Sequence, residues 1–255
     1  MDLYLSLFIL FSVLFTSFIS GSLGMAGGMV LMGVLVWILP VQQAMLLHAT
    51  SQFFANGSRA FIHRQHIHLE SIKYYLMGLV LSLLTFCLIT FVPNKAVVFT
   101  LLGIGPFLPL ALPKKLKFDF TQPLQAFSCG IIVTCFQLTA GVSGPILDMF
   151  FQKIDMTRHQ VVATKAFTQS ISHITKFIYF GAIVPAATST NITSWLPPFW
   201  IYAGVIPAAI IGSHLAKFIL EKITDTQFYK ATQWMLWSIG IIYLAKAVLL
   251  MQGGP

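Results

Sequence analysis

Long apolar runs, separated by short polar or glycine-rich breaks, fill almost the whole chain. Crossing the hydrocarbon core of a bilayer takes about 20 apolar residues per helix, and no polar block between the runs is long enough for a soluble domain. The pattern therefore predicts an all-α polytopic membrane protein. Its apolar segments lie at residues 3–20, 28–39, 43–62, 72–92 and 96–112 in the first half, and at 122–140, 144–152, 158–180, 196–219 and 227–250 in the second.

The two halves follow the same order of segments. Each has a long helix, a glycine-rich break, a short helix, a helix with several polar residues and two plain helices. Aligning them places HATSQFFANGSR (48–59) over VATKAFTQSISH (162–173), and Gly27 over Gly141. This order predicts an internal repeat. The predicted division is a first transmembrane repeat at 1–112, a cytoplasmic linker at 113–121 and a second transmembrane repeat at 122–255.

Composition excludes an ordinary soluble protein, because 57% of the residues are apolar and only 9% are charged, against about 25% charged in soluble domains. The net charge of +8 is spread over short loops, so it does not indicate nucleic-acid binding. By the positive-inside rule the basic loops are predicted to be cytoplasmic, and the uncharged loop PAATSTNITSWLPP to be external. The basic loops are Arg64–Lys73, Lys114–Lys117, Lys153–Arg158 and Lys217–Lys222.

The loop charges also predict how the repeats are related. The third segment of the first half ends at the basic loop near Arg64, whereas its counterpart ends at the uncharged loop after Gly181. Equivalent points are therefore predicted on opposite sides of the membrane, which makes the repeats inverted and puts both termini outside. Since only Asp2 precedes the first segment, with no basic signal region, we interpret that segment as a retained helix.

The two glycine-rich breaks, GSLGMAGG (21–28) and GVSGP (141–145), each precede a short segment. A helix that begins inside the membrane leaves its first four backbone N–H groups unpaired. An anion docked there would bind these groups at the positive end of the helix dipole, and glycines would let it approach. Close helix packing is the alternative role for such glycines, but the duplicated break favours a site. The predicted substrate-binding residues of the breaks are Gly24, Gly27, Gly28, Gly141, Ser143 and Gly144.

The two helices rich in polar residues supply the other candidates, because polar groups at membrane depth should face the protein interior or an aqueous cavity. One face of the first carries His48, Gln52, Asn56, Arg59 and His63, and one face of the second carries Lys165, Gln169, Ser172 and Lys176. We interpret Arg59, His63 and Lys176 as side chains that extend to the membrane surface. The predicted substrate-binding residues of these helices are Thr50, Ser51, Gln52, Thr164, Lys165 and Gln169.

Lys165 and Asp148 are opposite charges in neighbouring apolar segments and are predicted to form a pair. Three roles compete for this pair: a structural salt bridge, a substrate clamp or a proton site. His48 is interpreted first as a core histidine bonded to a backbone carbonyl. His48, Asp148 and His173 are the candidates for a coupling proton, with sodium at the free carbonyl ends of split helices as the alternative.

The repeated order of a glycine-rich break, a short helix and an ATS-type helix resembles the TauE/SafE family of sulfite exporters and related permeases. It appears as GSLGMAGG…HATS and again as TAGVSGP…VATK, and the resemblance covers essentially the whole chain. It implies a multi-pass carrier of the bacterial inner membrane for small sulfur-containing anions such as sulfite and organosulfonates. Lys165 departs from the family pattern, in which serine is common at that position.

Taken together, these features predict a secondary anion transporter with a midplane site between the repeats. We expect no catalytic residue, cofactor or metal. Cys87, Cys129 and Cys135 lie in apolar runs without metal-ligand spacing, and the histidines of HRQHIH (63–68) belong to a basic loop. An anion channel and an intramembrane enzyme remain as alternatives; the nearest approach to an enzyme is Ser51 with His48, which lacks a third group. Oligomeric state, direction and coupling ion stay open.

Overall fold

The computed structural model describes residues 2–23, 26–111, 118–151, 156–189, 196–216 and 225–254, and these residues form helices and connecting turns with no strand among them. The helices of the first half are α1 (Leu3–Leu23), α2 (Ala26–Ile38), α3 (Val41–Ile62), α4 (Leu69–Ile89), α5 (Lys95–Ile104) and α6 (Leu108–Ala111). Those of the second half are α7 (Pro123–Thr139), α8 (Gly144–Met149), α9 (Arg158–Ile178), α10 (Val184–Ala187), α11 (Phe199–Leu215) and α12 (Asp225–Met251).

Some predicted features lie outside the described residues. They are Gly24 of the first break, the basic loops at 114–117 and 217–222, residues 153–155 of the basic loop at 153–158, residues 190–195 of the uncharged loop, and most of the linker predicted at 113–121.

The all-α membrane fold predicted from hydropathy is confirmed. Three helices within the described residues are long and apolar enough to cross a membrane, at Leu3–Gly21, Leu69–Ile89 and Lys230–Met251. Shorter apolar helices lie at Ala26–Ile38, Lys95–Ala111, Pro123–Thr139 and Phe199–Leu215. Many large apolar side chains on the outer helices are exposed, which is unfavourable in water but expected in lipid. The chain is therefore a polytopic integral membrane protein.

Local sequence signals set where the helices begin. Asn94 caps α5 by accepting a hydrogen bond from the Val97 backbone N–H at 2.9 Å, and Thr157 with Gln160 forms a capping box at the start of α9. Pro145 lies in the first turn of α8, where a missing N–H costs nothing. The start of the second short helix was predicted correctly for this reason.

The long helices pack in pairs that cross between the halves. Extensive contacts join α1 to α11, α4 to α7, α3 to α9, and α5 to α12. By their order in the two halves, α1 corresponds to α7, α3 to α9, α4 to α11 and α5 to α12. If every helix is replaced by its counterpart in the other half, the same four pairs are obtained. Such packing is expected of two structural repeats. It does not report the direction of each helix across the membrane, so inversion of the repeats stays a prediction.

The short helix α2 lies inside the protein. Leu31, Met32, Leu35 and Val36 are all fully buried, and α2 contacts α1, α3 and α5. The shorter α8 packs into a second cluster with α4 and α7, where Phe150 contacts the ring of Phe118 and Phe151 that of Phe120. Both glycine breaks are thereby held in the interior beside α3 and α9.

Candidate functional site

A cavity lies where the two glycine breaks meet α3 and α9. Five of the predicted substrate-binding residues line it, together with the coupling candidates His48 and His173. The five are Gly28, Gln52, Ser143, Gly144 and Gln169. The unfilled space, including its opening, is about 350 Å³. Its interior has room for little more than a water molecule in this conformation.

Other predicted residues lie outside the cavity lining. Gly27 packs against the Thr16 carbonyl of α1, and the Thr50 hydroxyl donates to the Leu46 carbonyl at 3.0 Å. Thr164 accepts a hydrogen bond from the His68 backbone N–H at 3.0 Å, which ties the basic loop to α9.

Three more predicted residues are placed as follows. Ser51 is fully buried and its hydroxyl has no partner among the described residues, but it does not line the cavity. Gly141 adopts a positive φ of 78° and contributes its carbonyl to a hydrogen-bond chain described below. Lys165 and Asp148 form the predicted ion pair, whose side chains are 24% and 41% exposed. This pair was correctly predicted, and neither of its residues is among those that line the cavity.

Two hydrogen-bond donors on the cavity wall have no partner among the described residues. They are Gln52 Nε2 and Arg59 Nη2, and both atoms are buried. Arg59 lies in the last turn of α3, as expected for a side chain near a membrane end, but it also lines the cavity and its Nη2 atom is buried, so this part of the guanidinium does not reach the membrane surface. No carboxylate is among the described lining residues, so the wall carries a positive charge that no acidic side chain of that wall offsets.

A chain of hydrogen bonds joins the two glycine breaks through Lys176 and His48, which we call the Lys–His pair. His48 Nε2 lies 2.8 Å from the Gly28 carbonyl oxygen. Lys176 Nζ lies 2.8 Å from both His48 Nδ1 and the Gly141 carbonyl oxygen. Since a carbonyl only accepts, Nε2 carries the imidazole hydrogen and Nδ1 accepts from the lysine. The interpretation of His48 as a core histidine bonded to a backbone carbonyl is confirmed.

The interpretation of Lys176 as a side chain at the membrane surface is wrong, because Lys176 is 0% exposed. Its helix does not end near residue 180 as predicted. A π-helical turn at Tyr179–Ile183 carries α9 directly into α10, which ends at Ala187. Lys176 is therefore more than two turns from the end of the continuous helical stretch, and its stem extends inward.

A second chain of hydrogen bonds orients His173. The Ser143 hydroxyl donates to Gln137 Oε1 at 2.9 Å, and Gln137 Nε2 lies 2.8 Å from His173 Nδ1. Because the amide nitrogen donates, His173 Nδ1 accepts and its Nε2 carries the hydrogen. The His173 ring is 5.4 Å from the His48 ring, centroid to centroid. Each histidine is thus held by a partner on another element.

Some lining residues were not among the predicted site residues. Asn56 and Arg59 were placed on the same helical face as His48 and Gln52 but were not included among the predicted substrate-binding residues. Gln137 is a buried glutamine of α7, four residues before Gly141, and its position next to the break was the available signal. Ser20 and Val142 also line the cavity and carry no comparable signal.

A histidine cluster (His63, His66 and His159) lies on the loop side of α3 and α9. The His159 ring is 6.0 Å from His63 and 5.3 Å from His66, centroid to centroid. Partial burial, and then the neighbouring imidazoles and Arg59, lower the pKa of His63 below its ordinary value. Among the described residues, no group of three or more His, Cys, Asp or Glu side chains is placed to hold a metal ion.

The family model of the sulfite exporter TauE/SafE matches residues 9–243. The chain belongs to this family. The resemblance inferred from the repeated breaks is therefore confirmed, and membership in the TauE/SafE family makes the protein a membrane anion transporter. No curated protein and no solved structure shows a significant match to the chain.

Proposed function

We propose that the protein is a secondary carrier that moves a small sulfur-containing anion, sulfite or an organosulfonate, across the bacterial inner membrane. The anion binds in the cavity between the two halves, near the membrane midplane. The observation that carries this proposal is the pair of unpartnered buried donors, Gln52 Nε2 and Arg59 Nη2, on the cavity wall.

The chemistry of the wall favours an anion over a neutral solute or a cation. A buried donor without an acceptor costs about 1–3 kcal/mol, and a ligand that accepts hydrogen bonds from both donors removes that cost. A sulfite or sulfonate group has three oxygen atoms and can accept from both at once. Guanidinium groups bind such oxyanions through charge-assisted hydrogen bonds. The charge of Arg59 also gains a counter-ion that the described lining residues do not supply.

The arrangement of the halves suits a carrier. Residues 1–112 and 122–255 act as inverted repeats joined by the cytoplasmic linker at 113–121. The unchanged set of helix pairs on exchange of the halves supports a repeat, and the loop charges support its inversion. Rocking of one repeat against the other would open the central cavity to each side in turn. The narrow interior of the cavity agrees with a state closed around the site.

Transport assays in proteoliposomes test the substrate class. We expect saturable uptake and counterflow of sulfite or a sulfonate such as methanesulfonate, and weaker flux of sulfate and acetate. Counterflow distinguishes a carrier from an anion channel, because unlabelled substrate on the opposite side accelerates the uptake of labelled substrate by a carrier but not by a channel. Absence of flux for every anion of this panel would refute the proposal.

Arg59→Gln tests the site, with Arg64→Gln as the matched control. A charge-assisted hydrogen bond contributes about 1.5–3 kcal/mol, so Arg59→Gln should weaken anion binding by about 10- to 100-fold. Arg64 is exposed on the loop, lies over the Phe61 ring and donates to the Phe61 carbonyl, so its substitution should leave affinity unchanged. Equal affinities for the two variants would remove Arg59 from the binding site.

A further inference from the structure

The Lys–His pair is a titratable unit inside the protein with no acidic partner. The described hydrogen bonds of Lys176 Nζ run to His48 Nδ1 and to the Gly141 carbonyl. A neutral amine has two N–H donors and one lone pair, so these two bonds use its donors completely. An ammonium group has a third N–H, and none of the described residues supplies a third acceptor for it. The hydrogen bonds thus fit a neutral pair in the empty protein, with one site free to accept a proton.

The surroundings of the Lys–His pair make an added proton costly unless an anion is close. Lys176 is 0% exposed, and a buried charge without a counter-charge is strongly destabilising. The acidic side chain of the second break, Asp148, is already paired with Lys165 and does not line the cavity. His48, however, lies directly on the cavity wall. An anion in the cavity would therefore supply the counter-charge that the protonated pair lacks.

We propose that the Lys–His pair is a proton-binding site linked to anion binding, so that the anion and one proton move through the protein together. This inference rests on the proposed function of the cavity as the anion site. A proton from the aqueous side to which the cavity opens adds to the Nζ lone pair when the anion binds. When the anion leaves on the other side, the proton returns to water and the pair is neutral again. No other bond forms or breaks.

Other titratable groups face the pair from the surrounding helices. On α9 and α3 they are His173 and Arg59, which share the cavity with His48. On α12, the Tyr243 hydroxyl donates to the backbone carbonyl of Met29, which follows Gly28. On α4, the Tyr75 hydroxyl forms a hydrogen bond with the hydroxyl of Ser172, which precedes His173. Phenols and guanidinium do not titrate near neutral pH. His173 is therefore the group whose proton uptake must be distinguished from that of the pair, and a Lys176 variant makes this distinction.

Calorimetric binding in buffers of different ionisation enthalpy counts the protons taken up per anion. The probes are methanesulfonate, which does not titrate near neutral pH, and sulfite on the alkaline side of neutrality, where it is the dianion. For the purified wild-type protein we expect about one proton per bound anion and a dissociation constant that rises about tenfold per unit of pH. A proton count of zero with normal binding would overturn the inference and leave the proposed function intact. No binding of either probe would overturn both.

Lys176→Gln assigns the proton, because the neutral amide keeps two N–H donors. We expect this variant to bind the probe more weakly, with no proton uptake and no change of affinity with pH. Lys73→Gln is the matched control, since Lys73 is exposed on α4 beside the Tyr74 ring, and it should take up protons as the wild type does. Normal proton uptake by Lys176→Gln would place the proton on a histidine of the cavity, His48 or His173, and would refute its assignment to Lys176. If Lys176→Gln does not fold, His173→Gln decides: uptake of about one proton per anion by this variant keeps the proton on the Lys–His pair, and loss of the uptake assigns the proton to His173 and overturns the inference.

Discussion

Gly27 and Gly28 are adjacent in α2, yet the structure predicts opposite consequences for replacing each by alanine. At Gly27 an added Cβ would fall on the Thr16 carbonyl oxygen of α1 and lie 2.5 Å from the Ser20 backbone nitrogen. At Gly28 the Cβ would meet only the end of the Gln52 side chain, with Oε1 at 3.0 Å. Gly27→Ala therefore disturbs the backbone of a neighbouring helix, and Gly28→Ala disturbs a flexible side chain of the cavity.

The magnitudes follow from these neighbours. Ordinary contacts between carbon atoms lie at about 3.5–4.0 Å, so Gly27→Ala forces α1 away by about 1 Å or more. Overpacking of this kind costs about 1–3 kcal/mol, and alanine regains at most about 1 kcal/mol of helix propensity. We expect Gly27→Ala to lower the free energy of unfolding by up to about 2 kcal/mol. Gly28→Ala should leave it within about 1 kcal/mol of wild type, because only the Gln52 amide must shift and the propensity gain offsets that shift.

Anion affinity should respond in the reverse order. Moving the Gln52 amide misaligns one cavity donor, and a hydrogen bond contributes about 0.5–1.5 kcal/mol. Gly28→Ala should therefore weaken sulfite binding by up to about tenfold. The assays are thermal unfolding in detergent and calorimetric sulfite binding on the same preparations. A Gly27→Ala protein as stable as wild type, or a Gly28→Ala protein that loses stability but keeps its affinity, would refute this assignment of the two glycines.

Three shorter predictions address the ion pair, the topology and the histidine cluster. Lys165→Ala combined with Asp148→Asn should change the free energy of unfolding by less than about 1 kcal/mol, because the pair is partly exposed, and a tenfold loss of sulfite affinity would instead put Lys165 in the site. In a protein without its native cysteines, the Ser189→Cys variant should react with a membrane-impermeant thiol reagent added outside, and the Gln65→Cys variant with the same reagent added on the cytoplasmic side. Reaction of Ser189→Cys only from the cytoplasmic side would refute the inverted repeat. Burial and neighbouring imidazoles lower the pKa of His63, so the unfolded chain takes up a proton at this residue before the folded protein does. The wild type should therefore lose stability relative to His63→Gln as the pH falls through about 6.5, the ordinary histidine value. Unfolding temperatures of the two proteins that change in parallel at all pH values would contradict this.

Hydropathy located the helices because each apolar run must be helical to satisfy its backbone in lipid. The segment predicted at 158–180 corresponds to α9, and the segment at 227–250 corresponds to α12. Where the prediction failed, a local feature was responsible. The segment at 96–112 is interrupted by a 3₁₀ turn at Gly105–Phe107, in which Pro106 cannot donate a backbone hydrogen bond.

The polar residues of the cavity were harder to predict, since a sequence gives the position of a residue along a helix but not the direction of its side chain. Lysine and arginine have long stems and can extend either outward to the membrane surface or inward. Arg59 and Lys176 both extend inward, and no pattern in the sequence distinguishes the two outcomes. The pairing of Lys165 with Asp148 could be predicted because two opposite charges in neighbouring apolar segments need each other, and both side chains are partly exposed.

The distribution of donors and acceptors around the breaks bears on which ions the site can bind. Sodium at a broken helix requires free oxygen ligands, but the carbonyls of Gly28 and Gly141 already accept hydrogen bonds from His48 and Lys176. The unpartnered buried atoms of the cavity wall are nitrogen donors, Gln52 Nε2 and Arg59 Nη2. A cavity wall whose unpartnered buried atoms are donors, one of them on a guanidinium, favours an anion over a cation. The proton proposed for the Lys–His pair would bind the lone pair of Lys176 Nζ and would need no oxygen ligand, whereas sodium would need several, and no carboxylate is among the described lining residues.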